Sequence, residues 1–308
     1  MIYPSPAAAR LPIAATIVIA GTLAFHSPAQ AKEPTGPTPS LEAETFKPES
    51  GQAGKDVIWV PTPDEIVNAM LDMARIKPGD VHYDLGSGDG KIVIAGAKRG
   101  ANSTGVEFNP DMVGLSQRNA ARAGVSERAR FVQGDIFQTD FTQADVITLY
   151  LLPTLNMRLR PQLLDMKPGT RISSHQFTMG DWEPDQRTTL SGRDALSWVV
   201  PAKIGGGWDV TIDGSNPGPL KLSLMQKYQK VEGTATWGAA NAKLDSVQVN
   251  GGQVRFTVTD PKGGAHRFDG TAGHDGRMSG TVTDGNGSRK FTAIRTMTVG
   301  AAAPGSKL

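Results

Sequence analysis

The chain has 308 residues, enough for two modest domains. Its 32 Lys and Arg against 30 Asp and Glu leave a net charge of +2, too little to argue for nucleic acid or an anionic membrane as partner. It holds no cysteine, which excludes disulfides, thiolate metal sites and a cysteine nucleophile, and 36 glycines, which point to many tight turns.

The first 31 residues have the pattern of a secretory signal. Arg10 is followed by the apolar run Leu11–Phe25, then by Ala29-Gln30-Ala31, a small-x-small cleavage site, with Lys32 next. The expectation is cleavage after Ala31, export to a bacterial periplasm or beyond, and no membrane span in the mature chain. The alternative is an uncleaved, membrane-anchored form facing the cytoplasm. Residues 32–55 are rich in Pro, Glu, Gly, Ser and Thr without an apolar period, and read as a flexible linker.

From Val57 onward periodic elements begin. Thr62-Pro63-Asp64-Glu65 reads as a helix start with Thr62 as N-cap, and Ile66, Met70 and Met73 continue at helical spacing. Strands are expected at 81–85, 103–107, 130–132, 144–150 and 170–175, separated by helices over 91–98, 110–123 and 153–166. Such alternation specifies a mostly parallel sheet with helices on both faces, and ligands of such sheets bind at the strand C-terminal edge. This α/β domain is expected to span 56–190. After it, short alternating runs meet Gly/Asn/Asp turns, as in Val247-Gln-Val249, Asn250-Gly-Gly252 and Val254–Val258. They predict a small antiparallel all-β domain over 191–300, of six or seven strands, and a disordered tail over 301–308. The runs 196–200 and 208–212 fit either domain.

Chemistry concentrates at the ends of the first three strands. Gly86-x-Gly88-x-Gly90 lies between a strand and a helix, where glycine lets backbone approach a ligand and the helix N-terminus offers free N–H groups. Asp84 precedes it, Glu107 ends the next strand, and Gly134-Asp135 ends the third. A second-strand carboxylate accepts from both ribose hydroxyls, and a third-strand Asp accepts from an adenine amino group. Asp84 suits the amino-acid end of a cationic cofactor, whereas a pyrophosphate would be repelled. The G-x-G-x-G spacing also departs from the dinucleotide G-x-G-x-x-G, which disfavours an oxidoreductase.

The segments Trp59-Val-Pro-Thr-Pro63, Asp84-Leu-Gly-Ser-Gly-Asp-Gly-Lys91 and Gly105-Val-Glu-Phe-Asn109 resemble class I S-adenosylmethionine-dependent methyltransferases. The subgroup they are most similar to is the mitochondrial protein-lysine methyltransferases that modify the c-ring protein of ATP synthase and the adenine nucleotide translocase, with their bacterial relatives. Leu149–Pro153 and Ser174-His-Gln-Phe177 resemble segments of the bacterial members. The likeness covers about 57–180. It implies a Rossmann-like methyltransferase domain with S-adenosylmethionine as cofactor. Asp84, Gly86 and Gly88 would hold the methionine part, Glu107 the ribose, and Asp135 with Ile136 the adenine, with Ser87 and Asn109 as further cofactor-binding residues. Tyr150, Leu151, Leu152 and Pro153 would face the reactive methyl. Tyr-Leu-Leu-Pro replaces the Asn/Asp-Pro-Pro-Tyr of enzymes that methylate adenine or glutamine, which counts against those acceptors.

The acceptor is then a protein lysine or another small nucleophile. His175, at the end of the fifth strand, reads either as a catalytic base or as a structural cap. Tyr150 either orients an amine or packs as a rim aromatic. Trp59, Pro61 and Thr62 either line the substrate mouth or form a lid. His82 reads as structural, and His266 and His274 lack ligand-like spacing, so no metal is expected. Ser116 and Ser174 lack a nucleophile elbow. The competing reading is an exported, non-catalytic protein that binds S-adenosylmethionine, a nucleotide or a partner on a methyltransferase fold.

Overall fold

The computed structural model describes residues 46–214, 219–273 and 275–297. The signal segment, residues 32–45, His274 and the tail at 301–308 lie outside them. Among the described residues no helix is long and apolar enough to cross a membrane.

The alternating half forms a seven-stranded sheet from β1 (Val81–Leu85), β2 (Asn102–Glu107), β3 (Ala129–Gln133), β4 (Val146–Leu149), β5 (Arg171–His175), β6 (Gln186–Leu190) and β7 (Arg193–Val199). Its order is β3-β2-β1-β4-β5-β7-β6. β1 to β5 run parallel, and β7 pairs antiparallel with both β5 and β6. The strand order reverses between β1 and β4, so the crevice for a ligand opens where these two strands end.

Strand alternation assigns two faces. His82, Asp84, Ser103, Phe131, Thr148 and Ala195 point to one, by the registers His82↔Ser103, His82↔Val146 and Asp84↔Thr148. There lie α1 (Asp64–Met73), α2 (Lys91–Lys98) and α3 (Pro110–Arg122). Their apolar stripes explain the placement: Ile66 and Met70 pack with Ala195, and Val93, Ala97 and Val113 with Phe131. Leu85, Ile147, Leu149, Ile172 and Trp198 point to the opposite face, where Leu159 and Leu163 of α4 (Pro153–Leu164) cover them.

The second half is a closed eight-stranded antiparallel barrel, β8 (Gly206–Ile212) to β15 (Gly287–Met297), in which β15 returns to pair with β8. Inward-facing Trp208, Phe256, Phe268 and Phe291 fill it, with Phe256 stacked on Phe268 at 4.5 Å between ring centroids. Closure adds a strand to the six or seven expected.

Two boundaries move. The hairpin β6–β7 belongs to the first sheet, so the α/β domain runs to Val199 rather than 190, and the all-β domain starts at Gly206 rather than 191. β7 is buried on both faces, with Ala195 toward α1 and Leu196 and Trp198 toward α4. At the other end, residues 46–55 are not a free linker. Gly51 N donates to Trp59 O (2.8 Å), Trp59 N to Gln52 O (2.9 Å) and Gly54 N to Val57 O (2.9 Å), closing a small hairpin. The two halves meet through Ala202 N donating to Gly251 O (2.8 Å) and Trp182 Nε1 donating to Gln229 Oε1 (3.1 Å).

Candidate active site

One cleft lies along the C-terminal edge of β1, β2 and β4. Its walls bring together Trp59, Pro61, Thr62, Asp84, Gly86, Ser87, Gly88, Glu107, Asn109, Asp135, Ile136, Tyr150, Leu151 and Leu152. Of the catalytic, cofactor and substrate residues expected from the sequence, Pro153 and His175 are not among its walls.

The floor is the glycine loop. Gly86, Gly88 and Gly90 have φ of 83°, 53° and 81°, the left-handed region that favours glycine. Gly88 has a second constraint: a Cβ there would stand 2.6 Å from Trp59 Nε1. Ser116 Oγ donates to Gly88 O (2.8 Å) and so ties the loop to α3.

Glu107 is fixed by backbone. Gly88 N donates to its Oε2 (3.0 Å) and Asn109 N to its Oε1 (2.9 Å), so each oxygen of this cleft-lining carboxylate keeps further acceptor capacity. Asn109 itself caps α3, accepting from Asp111 N at 2.9 Å. Asp135 accepts from Phe137 N (2.9 Å), and its Oδ2 pairs with Lys55 at 2.8 Å. The Lys55 ammonium, and then the Phe137 amide, hold this carboxyl below the ordinary carboxylate range.

Asp84 is 2 % exposed, and burial pushes its carboxyl up to about 7 against the opposing Thr148 hydrogen bond. Thr148 Oγ1 donates to Oδ1 at 2.6 Å, whereas Oδ2 has no partner. An orphaned acid oxygen in a cleft is a place for a cationic donor.

Much of the remaining wall is apolar: Trp59, Pro61, Tyr150, Leu151, Leu152 and Phe177. Tyr150 lies against His175 with 3.9 Å between centroids and the rings tilted by 32°, and it stacks on Phe177 at 6.1 Å. His175 is 1 % exposed, and burial followed by the Arg193 charge lowers it to about 4, so it is neutral at pH 7. Its Nδ1 lies 3.2 Å from Thr62 Oγ1, and its Nε2 has no partner. The base reading of His175 therefore lacks its geometry: the ring is buried against Tyr150, and it reaches the cleft through Thr62 and Tyr150. Thr62 is likewise not an N-cap. Pro63 holds that position with no side-chain bond, because the Thr62 hydroxyl is engaged by His175.

Sequence reasoning missed the contribution of 52–58. Lys55 reaches Asp135 in the cleft and lies over the Phe108 ring at 4.7 Å, and Gln52 Nε2 meets Met112 Sδ at 3.7 Å. A polar stretch without periodicity gave no sign of this. Phe108, 49 % exposed on the cleft wall, carried a signal in its place beside Glu107.

The ANTKMT methyltransferase domain matches residues 84–186. A protein-lysine N-methyltransferase of Saccharolobus islandicus is 40 % identical over 133 residues, which are 42 % of this chain and 83 % of that relative. The chain belongs to the ANTKMT methyltransferase family. The mouse lysine N-methyltransferase of the ATP synthase c-ring protein is 35 % identical over 139 residues, 45 % of this chain and 56 % of its own, so the chain spans little more than half of that relative. Among solved structures, an RNA methyltransferase from Salinibacter ruber in complex with S-adenosyl-L-homocysteine is 46 % identical, covering 47 % of this chain and 96 % of its own at a TM-score of 0.46.

This family member is an S-adenosylmethionine-dependent methyltransferase. The residues fit the cofactor. Asp84 Oδ2 is a buried acid oxygen without a partner, which suits an ammonium, and the glycine loop brings backbone rather than side chains to the cleft wall. Glu107 presents acceptors for two hydroxyls, and Phe108 and Ile136 offer apolar surface beside Asp135.

Proposed function

We propose that this methyltransferase acts on the ε-amine of a protein lysine, and that it does so after export. The observation that carries the acceptor is the apolar part of the cleft wall. Trp59, Pro61, Leu151, Leu152 and Phe177 leave an arriving ammonium little water, with Tyr150 and Thr62 as the hydroxyls nearby. Desolvation lowers an ammonium's pKa, so this wall favours the neutral amine that a methyl transfer requires. S-adenosylmethionine supplies the electrophilic methyl on its sulfonium. The chain aligns the amine with it and excludes water. Neutral His175 sets Tyr150 by close ring contact and Thr62 by hydrogen bonding. Support also comes from the activities for which the archaeal and mouse relatives are named, both lysine N-methyltransferases.

The test is transfer from methyl-labelled S-adenosylmethionine to proteins of the native compartment, with the labelled residue located by mass spectrometry. Mono-, di- or trimethyl-lysine is expected. Label on another residue type, or none from protein that binds the cofactor, refutes the lysine reading. The second outcome would favour a binding protein on this fold.

Export rests on the charged start, the apolar run and Ala29-Gln30-Ala31. N-terminal sequencing of the native protein is expected to begin at Lys32. A retained Met1 refutes cleavage.

A further inference from the structure

Asp84 does not stand alone. Behind it, on the sheet face under α1 to α3, runs a line of buried polar side chains. Thr148 Oγ1 meets Asp84 Oδ1 at 2.6 Å, His82 Nε2 meets Thr148 Oγ1 at 2.9 Å, and Ser103 Oγ meets His82 Nδ1 at 3.0 Å. None of the four is more than 2 % exposed. Such positions in a parallel sheet are ordinarily apolar, and an isolated polar group there costs about 1–3 kcal/mol.

The bonding has a direction. An ionised Asp84 only accepts, so Thr148 must spend its single hydrogen on Oδ1. Thr148 Oγ1 is then the acceptor for His82, which must carry its proton on Nε2. His82 Nδ1 is left as an acceptor, and Ser103 donates to it. Every donor in the line points toward Asp84. Burial drives His82 down to about 3, so the ring stays neutral and has one ring proton to place.

α2 gives an independent sign that room is kept for this line. Gly96 stands inside the helix, where glycine costs about 1 kcal/mol against alanine. A Cβ at Gly96 would lie 2.7 Å from His82 Nδ1 and 2.8 Å from Ser103 Oγ. The helix gives up a better residue at the place where the Ser103–His82 pair needs room.

We propose that His82 is a positioning residue for the cofactor's ammonium, acting through Thr148 to fix the Asp84 carboxylate with its unpaired Oδ2 toward the cleft. The line adds a directed hydrogen bond to one carboxylate oxygen and leaves the other for the cation. It affects only ligands that carry an amino-acid end.

That selectivity is the test. S-adenosylhomocysteine and 5′-methylthioadenosine share the nucleoside and the sulfur, and only the first has an ammonium. Affinities for both are measured by calorimetry in wild type, His82→Leu, His82→Gln and Thr148→Val. Loss of one charge-assisted hydrogen bond predicts that His82→Leu and Thr148→Val weaken S-adenosylhomocysteine about tenfold or more. Methylthioadenosine is expected to change less than about twofold, and His82→Gln, which keeps a side-chain donor, to recover most of the loss. Equal weakening of both ligands, or of neither, overturns the inference while leaving the cofactor site standing. Failure of both to bind wild type overturns the cofactor site as well. A measurement without variants serves if these fail to fold: nitrogen-15 spectra of histidine-labelled protein with S-adenosylhomocysteine. The His82 ring is expected as the neutral Nε2–H tautomer, and the Nδ1–H tautomer overturns the proposed direction.

Discussion

Gly96→Ala sets two effects of known sign against each other. By helix propensity alone the change should stabilise α2 by about 1 kcal/mol. The new methyl, however, would stand 2.7 Å from His82 Nδ1, 2.8 Å from Ser103 Oγ and 3.2 Å from His82 Cε1. These neighbours cannot withdraw easily, since His82 is held at both ring nitrogens and is 0 % exposed. Overpacking of this kind costs about 1–3 kcal/mol, and breaking the Ser103–His82 bond adds about 1 kcal/mol. The steric and hydrogen-bond losses outweigh the propensity gain, so a net destabilisation of about 1–3 kcal/mol is expected. Urea denaturation of the whole chain, followed by tryptophan fluorescence, measures it through the midpoint. An unchanged or raised midpoint would refute the packing of α2 on the His82–Ser103 pair.

Glu107→Ala removes the carboxylate proposed to accept from two ribose hydroxyls and frees two backbone donors, Gly88 N and Asn109 N. Hydrogen bonds to a charged group are worth about 1.5–3 kcal/mol each, so calorimetry should show S-adenosylhomocysteine weakened at least about a hundredfold; a change below about tenfold contradicts the site. Asp84, raised to about 7 by burial with Asp89 and Glu107 pushing the same way, is protonated in the free protein below that pH. A bound ammonium favours its ionised form, so affinity for S-adenosylhomocysteine should rise with pH up to about 7 and then level. Methylthioadenosine should show no such slope, and a flat profile for both refutes the Asp84–ammonium pairing. Lys55→Met releases Asp135 from a half-exposed ion pair worth about 0–1 kcal/mol. Cofactor affinity should increase by up to about fivefold, and a decrease would mean that Lys55 itself serves the bound cofactor.

Where side-chain period and chemistry coincide, the sequence was legible. Asp84, Glu107 and Asp135 stand at three successive strand ends, and their joint presence on one cleft follows from parallel pairing alone. Legibility failed where position depends on tertiary context. β7 carries apolar residues on both faces because helices cover both, and from sequence such a run does not differ from the opening of a meander. Thr62 has the residue type and spacing of an N-cap, but its hydroxyl finds a closer partner in His175, 113 positions away. The hairpin at 51–59 is held by backbone hydrogen bonds and one tryptophan, neither of which leaves a periodic trace. His82 read as structural because the role inferred for it lies in a chain of contacts that joins three strands.

Barrel closure bears on the order in which this molecule is made. The methyltransferase sheet has all its strands once Val199 has been synthesised, and its parallel core is assembled from neighbouring segments. The barrel has no such partial solution. β8 stays an open edge until β15 arrives, since Asp209 pairs with Ile294 and Trp208 with Arg295. Contacts so distant in sequence form slowly, and an unpaired strand edge is the exposed, aggregation-prone stage of a folding chain. During synthesis the cofactor-binding half therefore completes its sheet first, and pairing of the last barrel strand with the first is the step that covers the exposed edge.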